Sequence, residues 1–363
     1  MTTTTTPMLK QQPVRTSTVI AVAVALLISA ACGTSTDDEP VAIGDSPAPT
    51  TTPAPTTTPA PTTTAPPTTT APPTTAPAVE RSTIAIEQTL LVDGVERGYH
   101  VGLPEDPVGA PVVIVLHQNS SSADATLGLD GVGSPHALWL ELVDDQGIVV
   151  VGAEGVGGAW NDCRADADTN SDADDVAYLE AMVDELVEQH GVADDQVFLT
   201  GTSNGGHMAI RMAEERPDRI AGFAAIAAAN AQSSECVSAG EAVPALFMNG
   251  TADSIMPFAG GAMFSGSLVE SAEGSVADWA ERFGLSEPTT NVLADVDPAD
   301  GSTITTTSYA SDGTVIATLY AVEGGGHNEP SRVIEAGGGF FGTQNRDIET
   351  VDVVWEFFSD LLA

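Results

Sequence analysis

The stretch FLTGTSNGGHMAIRMAEE, residues 198–215, opens as an apolar run, breaks into Gly-Thr-Ser-Asn-Gly-Gly and resumes with helical periodicity. A strand that becomes a helix within Gly201-Thr202-Ser203-Asn204-Gly205 needs glycine where side chains would collide, and it leaves Ser203 raised at the strand's end. The helix starting there directs backbone N–H groups and its positive end at the same point. That is a place to make and stabilise an acyl-enzyme. A Gly-rich turn holding a structural serine has the same pattern, so the reading depends on what else the chain supplies.

Around this turn lie short, nearly continuous apolar runs: PVVIVLH (111–117), GIVVVGAE (147–154), QVFLTG (196–201), IAGFAAIAAA (220–229) and PALFMNG (244–250). Such runs fit strands covered on both faces. Between and after them, DDVAYLEAMVDELVEQH places Val176, Leu179, Val183 and Leu186 on one helical stripe behind a capping aspartate, and VADWAERFG (276–284) and DIETVDVVWEFFSDLLA at the C-terminus behave alike. STIAIEQTLLVDGVERGYHVGLP, from Ser82, reads as a hairpin about Asp93-Gly94. An opening hairpin followed by alternating strands and helices predicts an α/β domain over residues 80–363, with a mostly parallel sheet and helices on both faces.

A serine nucleophile needs an imidazole to take its proton, and the imidazole needs a carboxylate to hold its tautomer. Asp253 follows the run ALFMNG in GTADSIMPFAGG, and His327 follows the hairpin-like TTTSYASDGTVIATLYAV in EGGGHNEP. Both sit in Gly-bearing loops at strand ends, in the order Ser, Asp, His. Of the other histidines, His100 and His190 fall in hairpin and helix segments and His136 follows no strand. His117 precedes Ser203 and His207 lies one helical turn beyond it, positions better suited to packing or capping.

VVIVLH, GGAWNDC, DDVAYLEAMVDEL, ADDQVFLTGTSNGGHMA, NGTADSIMPFAGG, GGGHNEP and NRDIETVDVVWEFF together resemble the exported α/β-hydrolase esterases of the polyhydroxybutyrate depolymerase-like family, with feruloyl and acetylxylan esterases as relatives. The resemblance covers nearly all of residues 80–363. It implies an α/β-hydrolase fold with Ser203 as nucleophile, Asp253 as acid and His327 as base. Two departures stand out. The family's His-Gly after the first core strand is here His117-Gln118-Asn119-Ser120, so an oxyanion hole would use the backbone N–H of Asn204 and, by position, that of Asn119. The family's Thr-Trp-Pro after the histidine is here Asn328-Glu329-Pro330, which sets a carboxylate beside the site. Trp160, in GGAWND, is expected to line the substrate cleft or to fill the core.

The rest of the chain concerns address. Residues 1–32 carry a basic start (Lys10, Arg15), an apolar run from Val19 to Ala31 and Ser29-Ala30-Ala31-Cys32, which reads as an export signal ending in a lipoprotein-like cysteine. Residues 33–79, rich in Thr, Pro and Ala, read as a disordered tether. The expected location is extracellular, on the cell surface through a lipid on Cys32, with free secretion as the alternative. That leaves Cys163 and Cys236 to pair as a disulfide, against two free thiols. The formal net charge of −40 repels nucleic acid and anionic lipid, and matches life in a saline medium. Asp166, Asp168, Asn170, Asp172 and Asp174 alternate as in calcium loops, but Ser171 and Ala177 replace the loop's glycine and glutamate, so no metal site is expected. The resulting expectation is a serine ester hydrolase needing no cofactor, acting on polyhydroxyalkanoate-type or polysaccharide-linked acyl esters. A catalytically inactive surface binding protein and a peptidase of the same fold are the alternatives.

Overall fold

β1 (Ile86–Val92) and β2 (Val95–Gly102) pair antiparallel about Asp93-Gly94, whose φ values of 50° and 82° give the turn that matches strand twist. The computed structural model to which these strands belong describes residues 85–336 and 338–362. The export signal, Cys32 and the Thr/Pro/Ala tether lie outside the described residues. The apolar runs form β3 (Val112–Leu116), β4 (Val149–Ala153), β5 (Val197–Thr202), β6 (Gly222–Ile226) and β7 (Ala245–Gly250), every residue of which is buried. A two-stranded ribbon, β8 (Gly261–Ala262) and β9 (Leu268–Val269), stands apart from the main sheet. The chain then adds β10 (Thr289–Val292), β11 (Thr303–Ser311) and β12 (Thr314–Glu323).

The main sheet has ten strands in the order β1-β2-β4-β3-β5-β6-β7-β12-β11-β10. Its six central strands, β4 to β12, run parallel, and an antiparallel pair borders them on each side. The sequence expectation of a mostly parallel sheet opened by a hairpin holds. β10, whose four residues are all exposed, carries no apolar alternation and is found only by looking at the folded chain.

Six helices cover the sheet: α1 (Ala123–Thr126), α2 (Trp139–Gln146), α3 (Asp175–His190), α4 (Asn204–Glu215), α5 (Ala272–Arg282) and α6 (Thr350–Asp360). Strand period sorts the core between them. Val112, Ile114 and Leu116 of β3 pack with α3, α4 and α5, through Leu179, Met208 and Trp279 among others. Val113 and Val115, facing the other way, pack with Trp139 of α2 and Phe358 of α6. Phe358 stacks on Phe198 at 4.6 Å and on Trp139 at 6.5 Å, which fastens the C-terminal helix to the sheet. On the first face, Arg97 of β2 meets Asp175 at 2.7 Å and lies 3.9 Å over the Tyr178 ring, a buried charge paired on two sides.

Because the central strands are parallel, the segments after β5, β7 and β12 all emerge at one edge of the sheet. Those segments carry Ser203, Asp253 and His327. The crevice outside the carboxyl ends of parallel strands is where α/β sheets place their ligand sites.

Candidate active site

Ser203 follows β5 directly and takes φ 57° and ψ −118°, a conformation that side chains disfavour. Its N–H donates to the Ile226 carbonyl at 2.8 Å and its carbonyl accepts from His207 N–H at 2.9 Å, so the strained residue is held from both ends. The turn closes this tightly only because of its glycines. A Cβ on Gly205 would lie 2.2 Å from the Leu116 carbonyl oxygen, and no side chain fits there.

Asp253 and His327 are brought together across the sheet edge. Asp253 Oδ2 and His327 Nδ1 are 2.7 Å apart. The other carboxylate oxygen accepts from the Ile255 and Met256 backbone N–H groups at 2.7 and 2.9 Å, which fixes the carboxylate's orientation. The His327 loop is pinned as well: His327 N–H donates to Phe341 O at 2.7 Å, Gly326 N–H to Thr343 O at 2.9 Å, and the Asn328 amide to the carbonyls of Phe341 and Gly342, both at 2.9 Å. His327 faces a cleft of about 210 Å³ whose walls include Gln118, His136, Thr202, Glu329 and Phe341. Phe341 stacks beside the His327 ring at 6.4 Å.

Asn204 begins α4, as expected, and the position of its backbone follows from the turn. Its side chain has a role the sequence did not suggest. The amide accepts from Trp160 N–H at 2.7 Å and donates to Trp160 O at 3.1 Å and to Asp162 Oδ2 at 2.7 Å. Asn119 turns its side-chain amide away, donating to Thr169 O at 3.0 Å and accepting from Ser120 Oγ at 2.9 Å; Gln118 and Ser121 of that loop line the cleft. Trp160 does not line the cleft. It is fully buried, with Nε1 donating to His117 O at 2.9 Å and its ring against His117 and Tyr178, so the expectation of a cleft wall is corrected to a core aromatic.

Cys163 and Cys236 are joined by a disulfide, with their Cα atoms 5.0 Å apart. The bond ties the loop that follows Trp160 to the segment after β6, where Ala165 N–H also donates to Ser233 O and Glu235 N–H to Cys163 O. Sequence reasoning missed Asp162 and Arg164 in that loop. Burial opposes the charge on Asp162, but the Arg164 guanidinium, 2.9 Å away through Nε, outweighs it and holds the carboxyl below its ordinary range. The alternating acids that follow do not converge. Asp174 caps α3 through the Ala177 N–H, the Asn170 amide donates to Asp162, and among the described residues no three metal-ligating side chains come together.

The remaining histidines separate by environment. His207 is driven down to about 3 by burial, with the Arg164 charge adding to it, so its ring is neutral. His117 is also lowered, chiefly by burial; its Nδ1 donates to Gln118 O at 2.8 Å and its Nε2 accepts from Gly155 N–H at 2.9 Å. His136 was passed over because it follows no strand, yet it stands in the cleft. Its Nε2 lies 3.1 Å from Thr202 Oγ1 and 3.3 Å from Glu329 Oε1, and the Thr202 hydroxyl donates to the same Glu329 oxygen. Glu329 was anticipated beside the site. Its bond to the residue preceding Ser203 could not be read from positions so far apart in the chain.

Comparison with known proteins matches the Phospholipase/Carboxylesterase family over residues 105–281. The protein named "Putative esterase NocK", from Nocardia uniformis subsp. tsuyamanensis, is 30% identical over 350 residues, covering 92% of this chain and 95% of the relative. Among solved structures, the acetyl xylan esterase from Aspergillus awamori superposes with a TM-score of 0.50 at 14% identity, over 76% of this chain and 99% of that one, a likeness of fold. A ferulic acid esterase from Anaeromyces mucronatus gives a TM-score of 0.41 at 17% identity, over 68% and 85% of the two chains. With the strand order, the strained serine turn and a relative aligned along nearly its whole length, the chain belongs to the phospholipase/carboxylesterase family of α/β-hydrolase esterases.

Proposed function

We propose that this esterase is a serine hydrolase in which Ser203 is the nucleophile, His327 the general base and acid, and Asp253 the residue that orients the imidazole. The observation carrying the proposal is the 2.7 Å contact between His327 Nδ1 and Asp253 Oδ2, made at the sheet edge that also presents Ser203. With Nδ1–H given to Asp253, Nε2 is the nitrogen that takes a proton. His327 removes the proton from Ser203 Oγ as that oxygen bonds to the ester carbonyl carbon. The negative charge moves to the carbonyl oxygen, where the N–H at the start of α4, on Asn204, supports it together with one from the Gln118–Asn119 turn. Collapse of the intermediate breaks the bond to the alcohol oxygen, which leaves with the proton from His327. Water deprotonated by His327 then attacks the acyl-enzyme, and the acid departs as Ser203 recovers its proton.

The substrates of this reading are neutral esters, polyhydroxyalkanoate-type chains or acyl groups on polysaccharide, met outside the cell. A cleft that carries Glu329 and no lysine or arginine in its walls supports neutral over anionic groups. Export and lipid attachment at Cys32 rest on the sequence, and radiolabelled palmitate incorporated by the native chain but not by Cys32→Ala tests the anchor.

The triad is tested with a fluorophosphonate probe and a short-chain p-nitrophenyl ester. Labelling of Ser203 is expected, and Ser203→Ala should lower turnover by on the order of 10⁶. Loss of less than about tenfold in that variant would remove Ser203 from the mechanism.

A further inference from the structure

The polar cluster beside Ser203 is only half used. The single proton of the Thr202 hydroxyl goes to Glu329 Oε1, so His136 Nε2, 3.1 Å from the Thr202 oxygen, carries a hydrogen and donates it. This accounts for one nitrogen of the ring and one oxygen of the carboxylate. The other two atoms, His136 Nδ1 and Glu329 Oε2, are buried and have no protein partner. His136 is 2% exposed and the Glu329 side chain about 10%, and both residues line the same cleft as His327.

Orphaned polar atoms at this depth are costly, and most of all on a carboxylate, unless something meets them. No lysine or arginine stands in the cleft walls to do so. What fits the spare oxygen of a carboxylate in a cleft wall is a hydrogen donor. We propose that Glu329 and His136 form a subsite that accepts a hydrogen bond from a hydroxyl group on the bound ester, so that the enzyme selects hydroxyl-bearing esters over their unsubstituted counterparts. The inference rests on the ester-hydrolase reading above. A site built around a donor rejects the analogue lacking it because its own polar atoms are then left unpaired.

The test compares kcat/KM of the purified protein on two ester pairs. Ethyl 3-hydroxybutyrate against ethyl butyrate places the hydroxyl on the acyl side, and 2-hydroxypropyl butyrate against propyl butyrate places it on the alcohol side. A preference of about tenfold or more for the hydroxyl member of one pair is expected. Glu329→Leu should bring that ratio to within about threefold of unity, whatever it does to the absolute rate. Glu329→Gln keeps an acceptor for Thr202 but loses the charge, and should fall between the two. Ratios near unity for both pairs in the native enzyme, with Ser203 still labelled by the probe, overturn the subsite and leave the hydrolase standing. So does a preference that survives Glu329→Leu. Absence of both turnover and labelling removes the hydrolase reading, and the subsite with it.

Discussion

Behind the Ser203 turn, the Asp162 carboxylate is met by the Arg164 guanidinium, by the side chains of Asn170 and Asn204 and by a backbone N–H. In front of it, the Glu329 carboxylate receives Thr202 and His136 on one oxygen and nothing from the protein on the other. Asp162 is fully buried and the Glu329 side chain nearly so, and each bonds to a residue flanking Ser203, Asn204 and Thr202 respectively. The first is saturated, and it fixes Asn204 and the Trp160 backbone in place; its use is rigidity. The second keeps spare capacity toward the cleft, at an energetic cost a purely structural group would not carry. Saturation and spare valence thus distinguish the supporting side of the turn from the side that faces the cleft.

The contrast can be broken at its strongest point first. Asp162→Ala leaves Arg164 buried without its carboxylate and should cost about 3–5 kcal/mol, read as a lower urea midpoint at unchanged slope. A loss below about 1 kcal/mol would mean that the network behind the turn is not saturated in the sense described. Next, replacing Cys163 and Cys236 together with serine releases a loop closed over a separation of 73 residues, and about 2–4 kcal/mol should be lost in the same measurement. If stability were unchanged, the loop behind Asn204 would be held by its hydrogen bonds alone.

Acid probes the same side through His207. Its folded value of about 3 lies below the ordinary 6.5, so below pH 6.5 the unfolded chain binds a proton that the folded chain refuses. Stability should therefore fall as pH drops from 6.5 toward 3, by roughly 1.4 kcal/mol per unit. His207→Gln should flatten the curve between pH 6.5 and 5, before the carboxylates titrate, and an unaltered slope would assign the acid sensitivity elsewhere. The smallest effect belongs to the cleft side. Glu329→Gln retains an acceptor for Thr202 and gives up a charge with no cation partner, so its urea midpoint should shift by the equivalent of less than about 1 kcal/mol. A large loss would place Glu329 with the structural acids and end the contrast.

Much of this architecture was legible in the chain. Runs such as VVIVL and VFLTGT can only be strands buried on both faces, and the glycines about Ser203 announce a turn by what they lack. Ser203, Asp253 and His327 were singled out because the proposed mechanism imposes both residue type and a place after a strand. What escaped notice is what parallel topology brings together from afar. His136 was passed over, and Glu329, though expected beside the site, comes from the opposite half of the domain, so their meeting has no local pattern. Trp160 stayed open between cleft and core because an aromatic near a site looks the same in sequence in either place; its partner, the His117 carbonyl, places it in the core. β10 had no signal because a strand with every side chain exposed has no face to mark.

The His327 loop is fastened by chain that comes after it. The backbone on either side of His327 is anchored by carbonyls of Phe341, Gly342 and Thr343, and the segment before Asp253 also bonds forward, Ala252 N–H donating to Gly325 O at 2.9 Å. Phe358, close to the C-terminus, then locks the last helix over β5. A chain cut short before Phe341 would therefore lose the anchors that hold His327 opposite Asp253.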